Sequence, residues 1–530
     1  MAKAKNNSLP RAKTPESAGV SSRIVKELLH DFDRLGLNMH SMMIVRDGKV
    51  AVECDWAPYD RNIPHTMFSF SKQVTSIAVG FAVSEGLLKL DDPVCKYFPY
   101  ESGKEKFDAR NSEITVYDLI TQRSGKNISI FTTNNEKNEW LNNWLSAPFK
   151  GATGEYFNYL SENIYMLSRL VTKVSGQGLT EYLTPRLFEP LGIDTPYWEH
   201  DHNGYDAGGW GAFLKTEDMA KIGVCFLNMG KYNGKQVIPE DWIRQSTERH
   251  LAEIPPTFTD KLSYGFQLFI QPEFRGTYSF NGLYTQFNIM YPKYNAVFTC
   301  TAGELREADF LHLTHIHLPN AFIDVPEEDA EGFAALKAYE KKIAERKPPM
   351  ARRRPDKEAE INGRLIKTTH RMNASILGSG NNFMLSARAG QINSFRFHFT
   401  HDSLRVEFTE KNSPKSVIDV GLDGEYLFSE IKLSELTVPV ASYGTWESEN
   451  VFKLTVIPLN MAQRREFYFR FLPAGVVHVT SKALPGFKDL FEFYLQFNGM
   501  TLNEPLRKAC TVVAAAIGSV LDPNFYGVIK

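Results

Sequence analysis

The chain has 530 residues, a formal net charge of −2 and 43% apolar residues, so it has the length of two or three ordinary globular domains. The balanced charge argues against nucleic acid or an anionic membrane as the main partner. The five cysteines are scattered, odd in number and lack a C-x-x-C pair, so neither a disulfide framework nor a zinc site is indicated.

The two ends of the chain show no signal for export or membrane insertion. Residues 1–11 are polar and contain no apolar core. The apolar run at 511–517 is too short to cross a bilayer. We therefore expect a cytoplasmic protein without a membrane partner. The sequence leaves open whether the protein forms a homo-oligomer.

The first elements in the chain are a helix and a hairpin. Residues 21–35 carry apolar side chains at helical spacing, which predicts an opening helix. The Asp47-Gly48 pair separates two short apolar runs, 42–45 and 50–53, and is a strong turn signal. Together they predict a helix followed by two antiparallel strands.

The next helix carries the first candidate for chemistry. From Val74 onwards the apolar residues recur at helical spacing, and Gly86 supplies the stop, so Ser69 falls in the first turn. Ser69 and Lys72 are three residues apart and share one face of such a helix. A lysine packed on an apolar helix loses solvation, which lowers its pKa and lets it accept a proton. The pattern is the S-x-x-K of an activated serine nucleophile.

The following stretches predict a mixed domain. Helices are predicted at 113–125, with Thr115 as N-cap, at 163–174, and at 216–228 with Thr216 as N-cap. A glycine-rich loop containing Trp210 precedes the last of these. Strands are predicted at 264–270, 287–291 and 296–300, and their grouping favours an antiparallel sheet with helices segregated from it.

The composition changes near residue 326. Residues 326–347 are charged and helical in pattern, and 347–357 have the Pro-Arg composition of a linker. Beyond them apolar residues alternate with period two, which predicts a separate antiparallel β-barrel or sandwich. The alternating positions include Phe395, Phe397 and Phe399, then Phe467, Phe469 and Phe471, and lastly Phe491, Phe493 and Leu495. The domains are therefore predicted as 1–325, a linker at 326–359, and 360–530.

Several of these stretches together resemble one family. Ser-Phe-Ser-Lys72 resembles the nucleophile motif of the serine β-lactamase and penicillin-binding-protein superfamily. Its structural signatures are similar to 86–99, 114–125, 174–176 followed by 188–193, and 233–242. The likeness covers residues 15 to about 320 and is strongest to the class C branch, with its esterases, D-aminopeptidases, acyltransferases and aminohexanoate-oligomer hydrolases. It implies an α+β fold, an antiparallel sheet flanked by helices with a helical subdomain. Residues 360–530 resemble, by pattern, an appended lipocalin-like barrel.

The resemblance supplies a second motif, Tyr-x-Asn, which falls on Tyr159-Leu-Ser161. Tyr159 then resembles the catalytic tyrosine, whose phenol moves protons. Ser161 stands where the family has asparagine, so one amide donor is lost. Tyr156-Phe-Asn158 fits the bare pattern literally and stays as the competing position.

The third motif departs further from the family. Its best match is 280–286, with Gly282 at the glycine position and no cation where the family has lysine or histidine. The resemblance implies that the backbone N–H of Leu283 pairs with that of Ser69 as an oxyanion hole. Tyr284 and Trp210 are further candidates for substrate contact, although core packing is an equal interpretation for Trp210. The missing cation argues against carboxylate-bearing β-lactams.

Together these residues predict a serine hydrolase that cleaves a small-molecule ester or amide through acyl-Ser69. An acyltransferase using the same intermediate and an inactive binding protein of the same fold are the alternatives. His65 precedes the nucleophile, but no aspartate partner can be placed, so a Ser-His-Asp triad is disfavoured. The second S-x-x-K match, Ser429 to Lys432, lies in a strand-like stretch and is assigned no function. No cofactor or metal motif is found.

Overall fold

The computed structural model describes most of the chain, with gaps. The described residues are 8–98, 108–128, 140–251, 262–271, 276–324, 327–368, 374–385, 390–411, 413–433, 435–497, 518 and 522–530. The predictions made for residues 1–7, Cys510 and 511–517 lie outside them. Two compact units divide the chain: Met1–Cys54, Pro64–Ala302 and Arg306–Glu340 form the first, and Asp55–Ile63, Gly303–Leu305 and Lys341–Lys530 form the second.

A seven-stranded sheet is the centre of the first unit. Its order is β2-β1-β11-β10-β9-β8-β7, and the pairings from β1 to β7 are antiparallel. The strands are β1 (Met39–Arg46), β2 (Lys49–Asp55), β7 (Ser263–Tyr264), β8 (Phe269–Gln271), β9 (Thr277–Gly282), β10 (Gln286–Tyr291) and β11 (Ala296–Ala302). Two short pairs complete the set: β3 (His65–Thr66) with β4 (Phe213–Leu214), and β5 (Lys231–Tyr232) with β6 (Lys235–Gln236). The predicted hairpin and antiparallel sheet are confirmed.

Helices were predicted at or near Ser22–Arg34, Ser71–Ser84, Val116–Ile120, Ser161–Ser175, Thr216–Leu227 and Ala330–Ala344, the last of which continues past the end of the first unit at Glu340; the others in the following list were not predicted. The helices span Ser22–Arg34, Ser71–Ser84, Val116–Ile120, Trp140–Ser146, Ser161–Ser175, Leu179–Leu183, Glu189–Leu191, Thr216–Leu227, Glu240–Thr247, Glu307–Ala321 and Ala330–Ala344. Gly176 ends the Ser161–Ser175 helix with φ +74°, a left-handed conformation that glycine adopts without strain. Thr115 caps its helix through a capping box with Asp118.

Three local predictions for this unit are wrong. The Thr115 helix ends at Ile120, not at Gly125. The helix at 216–227 has Lys215 at the N-cap, and the Thr216 hydroxyl instead contacts Ser41 at 2.6 Å. The single strand predicted at 264–270 is two short strands, because a backbone hydrogen bond from Gly265 to Leu268 (3.0 Å) closes a turn between them.

The second unit contains a ten-stranded sheet, nine strands of which close into a barrel. The order is β15-β14-β13-β12-β21-β20-β19-β18-β17-β16, and a parallel bridge between Gly421 and Tyr443 joins β15 to β17. The strands are β12 (Leu365–Thr368), β13 (Gly390–Phe399), β14 (Ser403–Lys411), β15 (Ser416–Gly421), β16 (Leu427–Leu433), β17 (Leu436–Ser448), β18 (Val451–Pro458), β19 (Arg464–Phe471), β20 (Val476–Leu484) and β21 (Phe525–Ile529). The predicted C-terminal barrel is confirmed.

Aromatic side chains fill the interior of this barrel. Phe395 and Phe397 on β13 are fully buried and reach Phe469 on β19, with ring centroids 5.0 and 4.9 Å apart. Because β13 and β19 are not neighbours in the sheet, these contacts cross the inside of the barrel. At this level of the barrel, packed phenylalanine rings occupy the interior.

The last predicted strand of the second unit is wrong. Residues 487–497 form a helix, accompanied in this unit by helices Pro355–Ile361 and Ser379–Phe383. Phe487, Leu490, Phe491, Tyr494 and Leu495 fit a three-to-four spacing, which the alternation of Phe491, Phe493 and Leu495 concealed.

Segment Asp55–Ile63 belongs to the second unit although it lies early in the chain. Tyr59 and Ile63 pack against a buried cluster formed by Ala441, Ile457 and Leu459. Nothing in the sequence pattern pointed to this assignment, because the segment reads as an ordinary loop after the hairpin.

Two negative findings concern the residues that the structure describes. None of their helices combines the length and the apolar character that a membrane span requires. Within the same ranges, no group of three or more His, Cys, Asp or Glu side chains is placed to hold a metal ion.

Candidate active site

Ser69 lies in a tight turn at the start of a buried helix. The turn, Phe68–Phe70, is a 3₁₀ helix that leads directly into Ser71–Ser84, which we call the nucleophile helix. Phe68 has φ +46°, a left-handed conformation that costs energy for a residue with a side chain. Its ring is buried and packs on Tyr284 at 5.3 Å, which holds the turn. Ser69 itself is half-buried and keeps some access to solvent.

Lys72 is fully buried and bonds three oxygen atoms. Its Nζ lies 2.8 Å from Ser69 Oγ, 3.0 Å from Ser161 Oγ and 2.7 Å from the carbonyl oxygen of Gly209. A neutral amine has two N–H groups and one lone pair. Because the Gly209 carbonyl can only accept and the Ser161 hydroxyl can accept, these two can take both N–H groups, which leaves the lone pair for the Ser69 proton.

The charge state of Lys72 follows from its surroundings. Burial lowers the pKa of Lys72 to about 7, and the Glu162 carboxylate acts in the opposite direction. Near neutral pH a large fraction of this amine is therefore unprotonated and can act as a base.

Tyr159 completes the group around Ser69. Its phenol shares a hydrogen bond with the Ser69 hydroxyl, and its ring centroid lies 4.9 Å from Lys72 Nζ. Burial raises the pKa of the Tyr159 phenol well above its ordinary value, the Ser69 hydrogen bond lowers it, and Glu307 raises it. The structure thus brings the three predicted catalytic residues together, with the phenol protonated.

The competing tyrosine lies elsewhere. The Tyr156 ring packs against the backbone at Gly151 and lies 5.6 Å from Lys150 Nζ. The side chain of Asn158, its partner in the literal motif, donates to the carbonyl oxygen of Lys126. Of the two alignments, Tyr159 is the one beside Lys72.

Gln122 holds the segment that carries Tyr159, a role that no motif or spacing indicated. Its Oε1 accepts from the Leu160 N–H at 3.0 Å, and its Nε2 donates to the Leu160 carbonyl at 3.1 Å. Oε1 also accepts from Asn163 Nδ2 at 2.9 Å. A fully buried amide therefore holds both backbone groups of the residue next to Tyr159, as a neighbouring strand would. Gln122 lies in a stretch recognised only as a structural signature.

Gly282 brings the end of β9 against the nucleophile turn. A Cβ at this position would lie 2.2 Å from the carbonyl oxygen of Met67 and 3.2 Å from the backbone nitrogen of Phe70, so only glycine permits the approach. Leu283 follows it. Among the described residues, neither its N–H nor that of Ser69 has a hydrogen-bond acceptor. Two backbone N–H groups, one on each side of this close approach, are therefore without an acceptor in the described part of the chain.

Gln286 holds the turn that follows Gly282. Its buried Nε2 donates to the carbonyl oxygens of Tyr284 (2.8 Å), Leu283 (3.2 Å) and Ala302 (2.7 Å). The turn is thereby tied to the end of β11. Tyr284 itself is fully buried, so its ring supports the turn and does not line an open space.

Two other residues predicted to contact substrate make their contacts with other residues of the protein instead. Ser161, at the start of its helix, uses its hydroxyl to hold Lys72. Trp210 is 2% exposed and packs on Trp140 with ring centroids 5.0 Å apart, which favours core packing. The atom of this loop that contacts the candidate site is the carbonyl oxygen of Gly209, which accepts from Lys72 Nζ. Gly209 was not among the residues predicted from the sequence. A Cβ there would lie 2.5 Å from the Ser161 carbonyl oxygen.

His65 takes no part at Ser69. Its Nε2 lies 3.1 Å from Nδ1 of His40, and its Nδ1 contacts the backbone oxygen of Thr66 at 2.9 Å. Both rings are buried. Through His40, His65 is linked to strand β1.

Comparison with known proteins gives a family and a fold. The model of the Beta-lactamase family matches residues 22–302, slightly more than half of the chain. A solved structure, a putative 6-aminohexanoate-dimer hydrolase from Bacillus anthracis, is similar with a TM-score of 0.50 and 19% identity, covering 59% of this chain and 86% of that one. At this identity the likeness concerns the fold.

Curated relatives share part of the chain. Protein flp of Staphylococcus aureus is 27% identical over 201 residues, which is 34% of this chain and 40% of the relative. An uncharacterised protein of Alkalihalophilus pseudofirmus is 24% identical over 286 residues, 46% of this chain and 78% of that protein. The chain spans about two-fifths of the length of the flp relatives it matches.

Proposed function

The chain belongs to the Beta-lactamase family, and from this premise we propose that it is a serine hydrolase that cleaves a small-molecule ester or amide through an acyl-Ser69 intermediate. The observation that carries the proposal is the contact of Ser69 Oγ with both a buried lysine and a phenol. A structural serine has no need of two proton carriers, one of which has lost most of its solvation.

Lys72 is proposed as the base of the acylation step. With Gly209 and Ser161 accepting its two N–H groups, the lone pair of the neutral amine points at the Ser69 hydroxyl. Ser69 Oγ attacks the carbonyl carbon of the substrate while its proton passes to Lys72 Nζ. The new ammonium stays beside the Tyr159 ring, 4.9 Å from its centroid.

Tyr159 is proposed as the acid of the same step. Because burial keeps the phenol protonated, it can donate its proton to the leaving alcohol or amine. The phenolate formed in this way is stabilised by the Lys72 ammonium and recovers the proton from it. In deacylation the same two groups take a proton from water and return it to Ser69.

The backbone N–H groups of Ser69 and Leu283 are proposed as the oxyanion hole. They lie on two segments that Gly282 and Gln286 hold in place. Preorganised donors of this kind act on the charge that develops in the tetrahedral intermediate, and one donor contributes about 10²- to 10³-fold in kcat.

Labelling tests the proposal directly. A fluorophosphonate should add one adduct mass to the protein, located at Ser69, and Ser69→Ala should abolish the adduct. The same variant should lower turnover of p-nitrophenyl acetate by on the order of 10⁴-fold or more. Ser429→Ala is the matched control, because Ser429 belongs to the second S-x-x-K match and its hydroxyl only accepts from the Asp419 N–H. Equal turnover by Ser69→Ala and the wild type would end the proposal.

Product analysis separates hydrolysis from acyl transfer. Both use the same acyl-Ser69, which either water or another nucleophile can open. With p-nitrophenyl acetate and added methanol, a hydrolase should release mainly acetate. A product ratio that exceeds the molar ratio of methanol to water many-fold would assign the protein as an acyltransferase.

A further inference from the structure

Glu307 is a buried carboxylic acid that the proposed mechanism does not use. It is the first residue of the Glu307–Ala321 helix and is 4% exposed. In the described part of the chain, no side chain or backbone donor bonds its carboxyl oxygens and no cation pairs with it. The neighbouring Arg306 donates to the backbone oxygens of Leu35 and Gly36 instead.

Sheet topology puts Glu307 at the end of the sheet that carries the candidate site. β9 and β11 are both antiparallel to β10, so they run in the same direction and their C-terminal residues, Gly282 and Ala302, lie at one end. The Glu307 helix begins shortly after Ala302. The carboxylate raises the pKa of both Tyr159 and Cys300, so it lies within electrostatic reach of the phenol and of β11.

Asn281 adds a second acceptor nearby. It pairs with Phe287, which pairs with Cys300, so the three side chains lie in one row on one face of the sheet. The Oδ1 atom of Asn281 is buried, and within the described ranges it accepts no hydrogen bond. Asn281 also directly precedes Gly282. An unused amide oxygen and an unused carboxyl group therefore lie at the same end of the sheet.

Unpaired buried acceptors cost stability. Moving a polar group out of water without a hydrogen bond costs about 1–3 kcal/mol in proteins, and a charged carboxylate costs more. Burial accordingly raises the pKa of Glu307 well above its ordinary value. Such groups need an explanation in a native structure, and a ligand that brings the missing donors is one.

We propose that the site takes an ester or amide bearing a positively charged ammonium group, and that Glu307, with the amide oxygen of Asn281, binds this group. This deepens the proposed function and rests on it. An ammonium supplies donors and charge together, which satisfies both acceptors. The third motif agrees with this polarity, because a substrate carboxylate would find no lysine or histidine at the position where the family has one.

Matched pairs of substrates test the proposal. On the acyl side, p-nitrophenyl esters of ω-amino acids are compared with the alkanoate esters of equal chain length. On the leaving-group side, acetylcholine is compared with 3,3-dimethylbutyl acetate, which has the same shape without charge. For at least one pair the wild type should prefer the cation by about 10- to 100-fold in kcat/KM. Glu307→Gln should remove that preference, measured as the ratio of kcat/KM for the cationic ester to kcat/KM for its neutral partner.

Asp309→Asn is the matched control, because Asp309 is an exposed acid in the first turn of the same helix. It should leave the preference unchanged. No preference for either cationic substrate in the wild type would overturn the proposal. An equal loss of the preference for the cationic substrate in Asp309→Asn would also overturn the proposal. It would show that the preference comes from the overall negative charge of the helix start and not from Glu307.

A binding measurement separates this proposal from the function on which it rests. Calorimetry with n-butylammonium and 1-butanol needs no turnover. The wild type should bind the ammonium more tightly than the alcohol and release protons on binding, because burial raises the pKa of Glu307 and the bound cation favours its carboxylate form. If Ser69 proves unreactive while Glu307→Gln weakens ammonium binding, only the hydrolase proposal fails. If Ser69 is acylated and Glu307→Gln changes neither measurement, only the cation site fails.

Discussion

The dependence of kcat/KM on pH is the most demanding test of the proposed base. Lys72 must lose its proton before it can accept one from Ser69, so the rate should rise with pH through the pKa of this amine in the free enzyme. With a pKa of about 7, roughly half of the Lys72 amine is free at pH 7. An ordinary lysine with a pKa of 10.5 would provide about one part in 3,000.

The size of the effect follows from burial. Lowering the pKa from 10.5 to about 7 corresponds to ~5 kcal/mol of lost stabilisation of the ammonium. Glu162 opposes this lowering. Glu162→Gln should therefore move the acid limb of the profile to lower pH, and Lys72→Gln should lower the plateau by about 10²- to 10⁴-fold.

A second buried lysine makes a control necessary. Lys126 is fully buried, its Nζ donates to the carbonyl oxygens of Leu145 and Ala147 at 3.1 Å each, and burial lowers its pKa to about 7 as well. An acid limb near pH 7 could therefore arise from either amine. Lys126→Gln, whose amide can still donate to these carbonyls, should keep the limb. If p-nitrophenyl acetate turnover loses its limb in Lys126→Gln and keeps it in Lys72→Gln, the assignment of the base is refuted.

Three further predictions test positioning and stability. Gln122→Leu removes both hydrogen bonds to Leu160, and we expect kcat/KM to fall by at least about 10-fold and urea unfolding to show a loss of about 2–4 kcal/mol; an unchanged kcat/KM would contradict a role in holding the phenol. Gly282→Ala should abolish activity and lower the thermal unfolding temperature, whereas Gly178→Ala, where the nearest atom to a new Cβ is 3.7 Å away, should do neither. Burial raises the pKa of Glu410 to about 7, so the folded protein binds a proton that the unfolded chain has lost, and stability should fall by about 3 kcal/mol as pH rises from 4.5 to 7; denaturant titrations of Glu410→Gln should show no such fall from this group.

Local patterns were sufficient for several of the central elements of the first unit. Apolar spacing located the nucleophile helix, and a glycine located the end of the Ser161–Ser175 helix, because both signals are read within one or two turns. The Asp47-Gly48 turn likewise identified its hairpin. At 487–497 the apolar residues fit both a period of two and a helical period, and the predicted strand is a helix in the structure.

The chemistry of the site was only partly legible in the sequence. Ser69 and Lys72 were identified from their spacing, and Tyr159 from an alignment that a tertiary contact then distinguished from Tyr156. The carbonyl of Gly209 and the amide of Gln122 act through backbone geometry, which leaves no residue-type signature. Glu307 was missed for another reason: an acid in the first turn of a helix is stabilised by the helix dipole and needs no functional explanation.

Segment Asp55–Ile63, which belongs to the second unit, limits how the protein can be divided into separately expressed domains. Tyr59 and Ile63 are covered by residues more than 370 positions further along the chain. A protein truncated after residue 340 would present those two side chains to water and would be prone to self-association. For the same reason, a chimaera of two family members joined at that position would combine Tyr59 and Ile63 from one parent with the cluster of Ala441, Ile457 and Leu459 from the other, and their apolar surfaces would not match.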